Sequence, residues 1–404
     1  MNYNNFYFQN SRWLAITSLL YFSSSFGQTF FIAIFAGAIR EEFAISHTTW
    51  GTIYAIGTLS SAVLMFKFGG FADKRQPRRL GTIIMIFLAL SCFGMMLVKH
   101  IWVLPLLIFG LRFFGQGFAS HLSMVLCGRW FHKNRGRTVA VTGLGFAFGE
   151  ALLPLIFVSI MGWIGWRFSW GLAALLLLIV ALIFRTLLNG ERTPKSAIDS
   201  ASLNNIAGLY GKHWTKSEVL KSWISWPMLF AIMAQSMFGT IFFFQQVTLG
   251  IEKGWEINQF AILVPVYTIM SIISTFIAGF LIDNFGVRRL LPFYLVPGMF
   301  GFLIGSFLNN PIASGLTFAL LGMTTGLSNS FSGTFWPEFF GTKYLGDVRA
   351  IATSSMVIAS ALGPLFSGLF LDLNISLSIQ FQIMAVIMIF CTIGLSIISL
   401  KTKT

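Results

Sequence analysis

Charge is what this sequence has least of. Only 10% of its 404 residues are Asp, Glu, Lys or Arg, while 56% are apolar. Soluble domains carry roughly 25% charged residues, so a water-soluble fold of this length would lack the means to cover itself. A mean hydropathy of +0.78 points the same way. Acidic residues are scarcest, 13 against 27 Lys and Arg, for a net charge of +14. Cysteine is almost missing. Cys92, Cys127 and Cys391 lie in or beside apolar runs, with neither metal-ligand spacing nor a disulfide pattern, and read as small packing residues. No Walker loop, H-E-x-x-H pair or nucleophile elbow occurs. No enzyme, metal or cofactor is therefore expected. A cleavable leader is not expected either, because the first apolar run, residues 13–36, is too long for one and has no small-residue cleavage site.

Long apolar runs are what is there. A bilayer core about 30 Å thick needs about 20 residues of helix. Residues 13–36, 50–70, 81–98, 102–127, 139–161 and 168–188 meet that test, and after a polar stretch so do 226–250, 260–282, 291–307, 312–336, 350–371 and 379–400. Backbone amides in lipid must be satisfied within their own segment, so these runs are helices. They are continuously apolar and lack the alternation of a β-barrel strand. The expectation is an all-α membrane protein of twelve transmembrane helices, with a first six-helix bundle over 1–188, a linker over 189–222 and a second bundle over 223–404. Cations orient it. With the N-terminus inside, all but five of the 27 Lys and Arg fall on the inner side; Arg40, Lys99, Arg167 and Lys253 fall outside and Arg112 inside a span. That is the positive-inside pattern. It makes the lipid bilayer the partner, removes the need for nucleic acid, and puts both termini in the cytoplasm, with the plasma (inner) membrane as the expected location.

Two charged stretches interrupt the apolar runs. "FGGFADKRQPRRL" begins at Phe68 and "AGFLIDNFGVRRL" at Ala278, and Asp73 and Asp283 stand 210 residues apart, about half the chain. Each Asp lies four residues after a glycine (Gly69, Gly279) and is followed by an Arg pair. Glycines there are expected to let helices approach closely, and the Asp to pair with cations or a helix N-terminus. Such a charge latch could hold in one state and release in another.

These residues resemble the loop signature of the major facilitator superfamily, G-x-x-x-D-(R/K)-x-G-(R/K)-(R/K). Gly69, Asp73, Lys74 and Arg78 match it in the first copy, where Gln76 and Pro77 replace a glycine and a cation. Gly279, Asp283, Gly286 and Arg288 match it in the second, where Asn284 replaces a cation. "GLRFFGQGFAS" from Gly110 resembles the family's fourth helix, and "GWRFSW" from Gly165 its outer turn before the sixth. "RWFHKNRGRTVAVTGLGFAFGEALLP" from Arg129 resembles the monocarboxylate and oxalate–formate branch, although residues 260–282 lack the Asp–Arg pair of mammalian-type monocarboxylate carriers. The resemblance implies two bundles around a central cavity, alternating access, and secondary transport driven by an ion or solute gradient; a functional monomer is expected.

Charges inside spans are costly and mark function or a partner. Arg112 and Glu150 are the clear cases, and their depths along antiparallel neighbours favour an ion pair. Gln28, Gln116, Gln235, Gln246 and Asn329 lie on helices that the resemblance makes cavity-lining, where each is as readily an interhelical hydrogen bond. The glycines Gly145 and Gly149 read as helix-packing residues rather than a dinucleotide loop. The expected substrate is a small organic anion such as a monocarboxylate, with Arg112 as counter-charge and protons as a candidate coupling ion. The alternative is proton-coupled efflux of amphipathic, drug-like compounds through Glu150.

Overall fold

The computed structural model describes residues 7–68, 75–131, 135–188, 207–255, 257–307, 311–341 and 343–402. Each expected span is met by helix. The first is built of α1 (Ser11–Ser24), a 3-10 turn (Ser25–Gly27), α2 (Thr29–Ile32), a second turn (Ala33–Phe35) and α3 (Ala36–Phe43). Then come α4 (His47–Phe68), α5 (Pro77–Leu97), and α6 (Leu104–Gly110), which continues through a π-helical stretch (Leu111–Ala119) into α7 (Ser120–Trp130). The long α8 (Arg135–Leu187) bends at Gly165, whose φ of 76° only glycine adopts cheaply. Beyond the linker helix α9 (Lys216–Lys221) follow α10 (Ser225–Phe244), α11 (Gln246–Lys253), α12 (Ile257–Phe285), α13 (Val287–Leu290), α14 (Val296–Phe307), α15 (Pro311–Phe340), α16 (Leu345–Asp372) and α17 (Leu377–Lys401).

Among the described residues, eight helices are long and apolar enough to cross a membrane, or nine if the bent pair Ser11–Gly27 and Thr29–Phe43 is one. One of these, Thr138–Leu187, holds the fifth and sixth spans on either side of Gly165. Helices α4 and α15 occupy the second and tenth places. The count of twelve holds.

Two compact units emerge, one of Met1–Ile45 with Thr52–Ala201, the other of Ser46–Gly51 with Ser202–Thr404. Lipid gives helices no hydrophobic reason to associate, so close packing must hold them. In the first unit Gly145 meets Ser18, and Gly149 meets Ser25 and Phe22, so tightly that a Cβ would clash. The helix-packing role expected of this pair is what they perform. Phe26, Phe31, Phe157 and Trp170 form its edge-to-face core, with centroids 4.9–5.9 Å apart. The second unit has its own core, in which Phe242 touches Phe260, Phe318 and Phe381.

The repeat reaches into local structure. Helices α3 and α11 are both eight residues long, are offset by 210 residues at each end, and both end in a left-handed cap, Ala44 (φ 50°) and Gly254 (φ 69°). Each carries a glutamate that clamps the start of its unit's last span. Glu42 accepts from Trp166 Nε1 (2.8 Å) and Arg167 Nη2 (2.6 Å). Glu252 accepts from the backbone of Leu377 (2.7 Å) and Ser378 (2.9 Å).

In the linker, residues 189–206 lie outside the described set. Residues 207–222 are ordered on the second unit: Trp214 N–H donates to the Phe340 carbonyl at 3.0 Å and its ring meets that of Phe340 edge-on. What reads as a polar connector is in this half a docked element.

Candidate functional site

The first span does not run straight. After the turn Ser25–Gly27, Gln28 is extended (φ −85°, ψ 156°), and α2 begins at Thr29. The break takes from the Gly27 carbonyl its regular helical donor, because Phe31, like Ile32, donates to Gln28 instead. Facing it is the π-helical stretch, a local widening often found at functional sites. The two backbones touch where both residues are glycine. A Cβ on Gly115 would lie 2.7 Å from the Gly27 Cα, and one on Gly27 would run into the Leu111 carbonyl. Gly27 and Gly115 thus place Arg112 against the break.

Arg112 is 1% exposed. Its Nη1 donates to the Gly27 carbonyl (3.1 Å) and to the Thr29 hydroxyl (3.4 Å). The guanidinium lies 5.3 Å from the centre of the Tyr54 ring, and the Tyr54 and Thr29 hydroxyls are 2.5 Å apart. Nε has no partner. Among the described residues, each group that holds this cation is neutral.

The ion pair with Glu150 suggested by depth does not form. Arg112 is committed to the helix break, and Glu150 is half-buried on α8 with Tyr21 as an electrostatic neighbour. Counting residues along two helices fixes height, not azimuth. Gly149 faces α1, so the next residue is turned about 100° around the helix from that contact. Thr29 and Tyr54 escaped sequence reasoning, since a lone hydroxyl in a span carries no charge signal. The Gly-Gln pair inside the first apolar run was the available hint.

The amides divide. Gln28 is the extended residue of the break. Gln116 lies four residues beyond Arg112, half-buried, and its carbonyl accepts from the Ser120 hydroxyl. In the second unit Gln235 donates to Thr325 (3.3 Å) and accepts from Ser328 (3.4 Å), while the Tyr267 hydroxyl also meets Thr325 (2.7 Å). Gln246 does not belong to the long helix of the seventh span but opens α11, after a bend at Gln245. Asn329 is exposed.

Of the first hairpin, Gly69, Asp73 and Lys74 lie outside the described residues, as does the side chain of Asp283. Arg78 donates through Nε to the Arg185 carbonyl at 3.1 Å, and Arg288 to the Ser399 carbonyl at 2.9 Å. Each motif arginine thus caps the last helix of its own unit. Gly286 turns the chain with φ 77°, where Gln76 with Pro77 reaches the same helix start at φ −64°. Gly279 differs from expectation. A Cβ there would meet nothing, so it does not mark a close helix contact.

Helical spans, two units, a 210-residue repeat and a buried cation at a broken helix define a multi-pass integral membrane protein. The chain belongs to the Major Facilitator Superfamily, whose model matches residues 17–256 and 228–403. It is 24% identical to the uncharacterized MFS-type transporter YfkF of Bacillus subtilis (strain 168) over 300 residues, 70% of this chain and 69% of that one. It is 25% identical to a probable L-galactonate transporter of Escherichia coli (strain K12) over 168 residues, 41% of this chain and 37% of the other. Among solved structures it is similar to the nucleoside transporter NupG (TM-score 0.73, 14% identity, covering 97% and 99%). A bacterial homologue of the human lysosomal transporter Spinster, inward-facing and occupied, is also similar (TM-score 0.70, 15% identity, covering 96% and 94%). These likenesses establish the fold.

Proposed function

We propose that the chain is a secondary transporter working by alternating access, that its substrate is a small organic anion such as a monocarboxylate, and that Arg112 supplies the counter-charge. One observation carries this reading. Arg112 is buried in a span with only neutral partners. A charge at that depth costs at least about 2.5–3.5 kcal/mol on insertion scales. Hydrogen bonds donated to a carbonyl and a hydroxyl satisfy Nη1 but leave the positive charge uncompensated. A carboxylate reaching the buried, unpartnered Nε would complete the guanidinium fork. The probable L-galactonate transporter is named for a carboxylate, which agrees in charge.

Glu150 is the proposed proton carrier for coupling, acting apart from Arg112 rather than through a direct pair. The rival use of the same residue, proton-driven efflux of amphipathic compounds, differs in direction: extrusion rather than uptake. The lipid bilayer and the solute are the proposed partners, and a monomer the proposed working unit. The inner-side bias of Lys and Arg supports cytoplasmic termini in the plasma (inner) membrane.

The test is a thermal-shift screen of purified protein against organic anions and amphiphilic cations, since a bound ligand raises stability by mass action. Stabilisation by a carboxylate, absent in Arg112→Gln, supports the anion reading. Stabilisation by lipophilic cations alone sinks it.

A further inference from the structure

One cavity has no part in the proposed substrate site. It lies in the first unit where α5 begins and α8 ends, holds about 450 Å³, and is lined by Gln76, Arg78, Arg79, Thr82, Ile83 and Arg185. Three of those side chains are guanidinium groups, and among the described residues no carboxylate lines the space. Three like charges around one small volume repel each other. An anion seated among them relieves that repulsion.

The backbone adds to the attraction. Helix α5 opens with Pro77 in its first turn, and its N-cap residue Gln76 makes no capping hydrogen bond. The positive end of its dipole therefore lies beside the cavity, whose lining includes Gln76, Arg78 and Arg79 of this first turn. The carbonyl end of α8 opposite does not cancel this, because Arg78 Nε already donates to the Arg185 carbonyl. That bond also fixes one guanidinium at the rim.

A soluble phosphate and a phospholipid headgroup share the chemistry this seat would bind. The surroundings favour the lipid. Ile83 lines the cavity and is itself 49% exposed, and Ile86 and Leu90 on α5, with Leu182 and Leu175 on α8, are also exposed. Apolar surface is thus open on both helices that form the seat. Beneath it Gly81 lies so close to the Phe184 ring that a Cβ would clash, which closes the gap between the helices. The result is a shallow cationic seat at a membrane interface, the kind of basic pocket between helices that binds anionic headgroups. We propose that this cavity holds the phosphate of an anionic phospholipid through Arg78, Arg79 and Arg185, with its acyl chains lying along α5 and α8.

The experiment uses the full-length protein in nanodiscs of phosphatidylcholine with and without phosphatidylglycerol, followed by native mass spectrometry of the released protein. Wild type should retain phosphatidylglycerol in preference to phosphatidylcholine. The Arg79→Gln/Arg185→Gln variant should lose retention by about fivefold for each arginine removed, and Arg79→Lys/Arg185→Lys should keep most of it. Equal retention by wild type and the folded glutamine variant overturns the proposal. Displacement of the lipid by inorganic phosphate identifies a soluble anion as the occupant and overturns the lipid assignment. Should the glutamine variant fail to fold, titrating phosphatidylglycerol into wild type decides. The melting temperature should rise with phosphatidylglycerol but not with phosphatidylcholine, and no rise overturns the proposal.

Discussion

Arg112 and Glu218 show how differently a charge behaves inside and outside a membrane. Among the described residues Arg112 has no counter-ion in its buried setting, so Arg112→Gln should leave folding intact and raise thermal stability in the absence of substrate. A fall in melting temperature would show that the cation is structurally required. Its neighbours should matter less: Tyr54→Phe removes the hydroxyl contact with Thr29 and should weaken ligand binding by about tenfold, the worth of one hydrogen bond near a charge, read by titration. Glu218 is half-exposed at the surface, and its carboxylate receives Lys212 Nζ (2.5 Å), the Thr215 backbone N–H (2.8 Å) and the Thr215 hydroxyl (2.9 Å). The Lys212 contact first, then those to Thr215, push its pKa down to about 2. A carboxyl whose folded pKa is depressed stabilises above its unfolded value and loses that contribution as pH falls toward the folded one. Amide protection in α9 should therefore decline from the usual glutamate range down to about pH 2. In Glu218→Gln it should be low at every pH and insensitive over that window. Of these residues, Arg112 was legible because charge in a run of apolar residues stands out. Its true partners were not, because a carbonyl freed by a helix break has no letter in the sequence.

Breaks and caps decide what each helix can present. The crossing of the first helix break and the π-helical stretch rests on Gly27 and Gly115, and Gly115→Val would force them apart. Overpacking of this kind costs about 1–3 kcal/mol, and because it moves Arg112 off its carbonyl, ligand binding should fall along with thermal stability. Retained binding in a destabilised Gly115→Val protein would separate the crossing from the site. The twin clamps make a comparative prediction. Glu252 caps two backbone N–H groups of α17, and losing such a cap costs about 0.5–2 kcal/mol. Glu42 instead meets a half-exposed arginine side chain, a pair of the class worth about 0–1 kcal/mol. Glu252→Ala should lower the melting temperature more than Glu42→Ala, and the reverse order would contradict the capping account. These glutamates stand 210 residues apart like the hairpin aspartates, so the repeat contained them. They were overlooked because their partners, an indole and an arginine in one copy and backbone amides in the other, share no sequence pattern. Gly279 fell on the other side: a motif glycine was read as a packing contact where the structure leaves open space.

At the scale of the whole chain, the twelve spans were readable because hydrophobic length is a one-dimensional property, and the repeat because duplicated charge survives in two loops. The helix breaks at Gln28 and Gln245, and the docking of residues 207–222, depend on three-dimensional neighbours and were not readable. Arg78 and Arg288 are each engaged within their own unit, on the Arg185 and Ser399 carbonyls, so a latch would rest on the aspartates. Asp73→Asn should then slow turnover far more than it weakens substrate binding, with Asp283→Asn doing so less; normal rates in the double variant would remove the latch. The central claim, that Arg112 is the counter-charge for an organic anion, meets its most direct test in proteoliposome counterflow. A labelled monocarboxylate, selected by the thermal-shift screen, is followed in wild type, Arg112→Lys and Arg112→Gln. Loss of one partner of a buried charge pair costs about 2–5 kcal/mol, so Arg112→Gln, folded and inserted, should lose counterflow by at least about thirtyfold, with Arg112→Lys retaining part of it. Counterflow at the wild-type rate in Arg112→Gln would contradict the account.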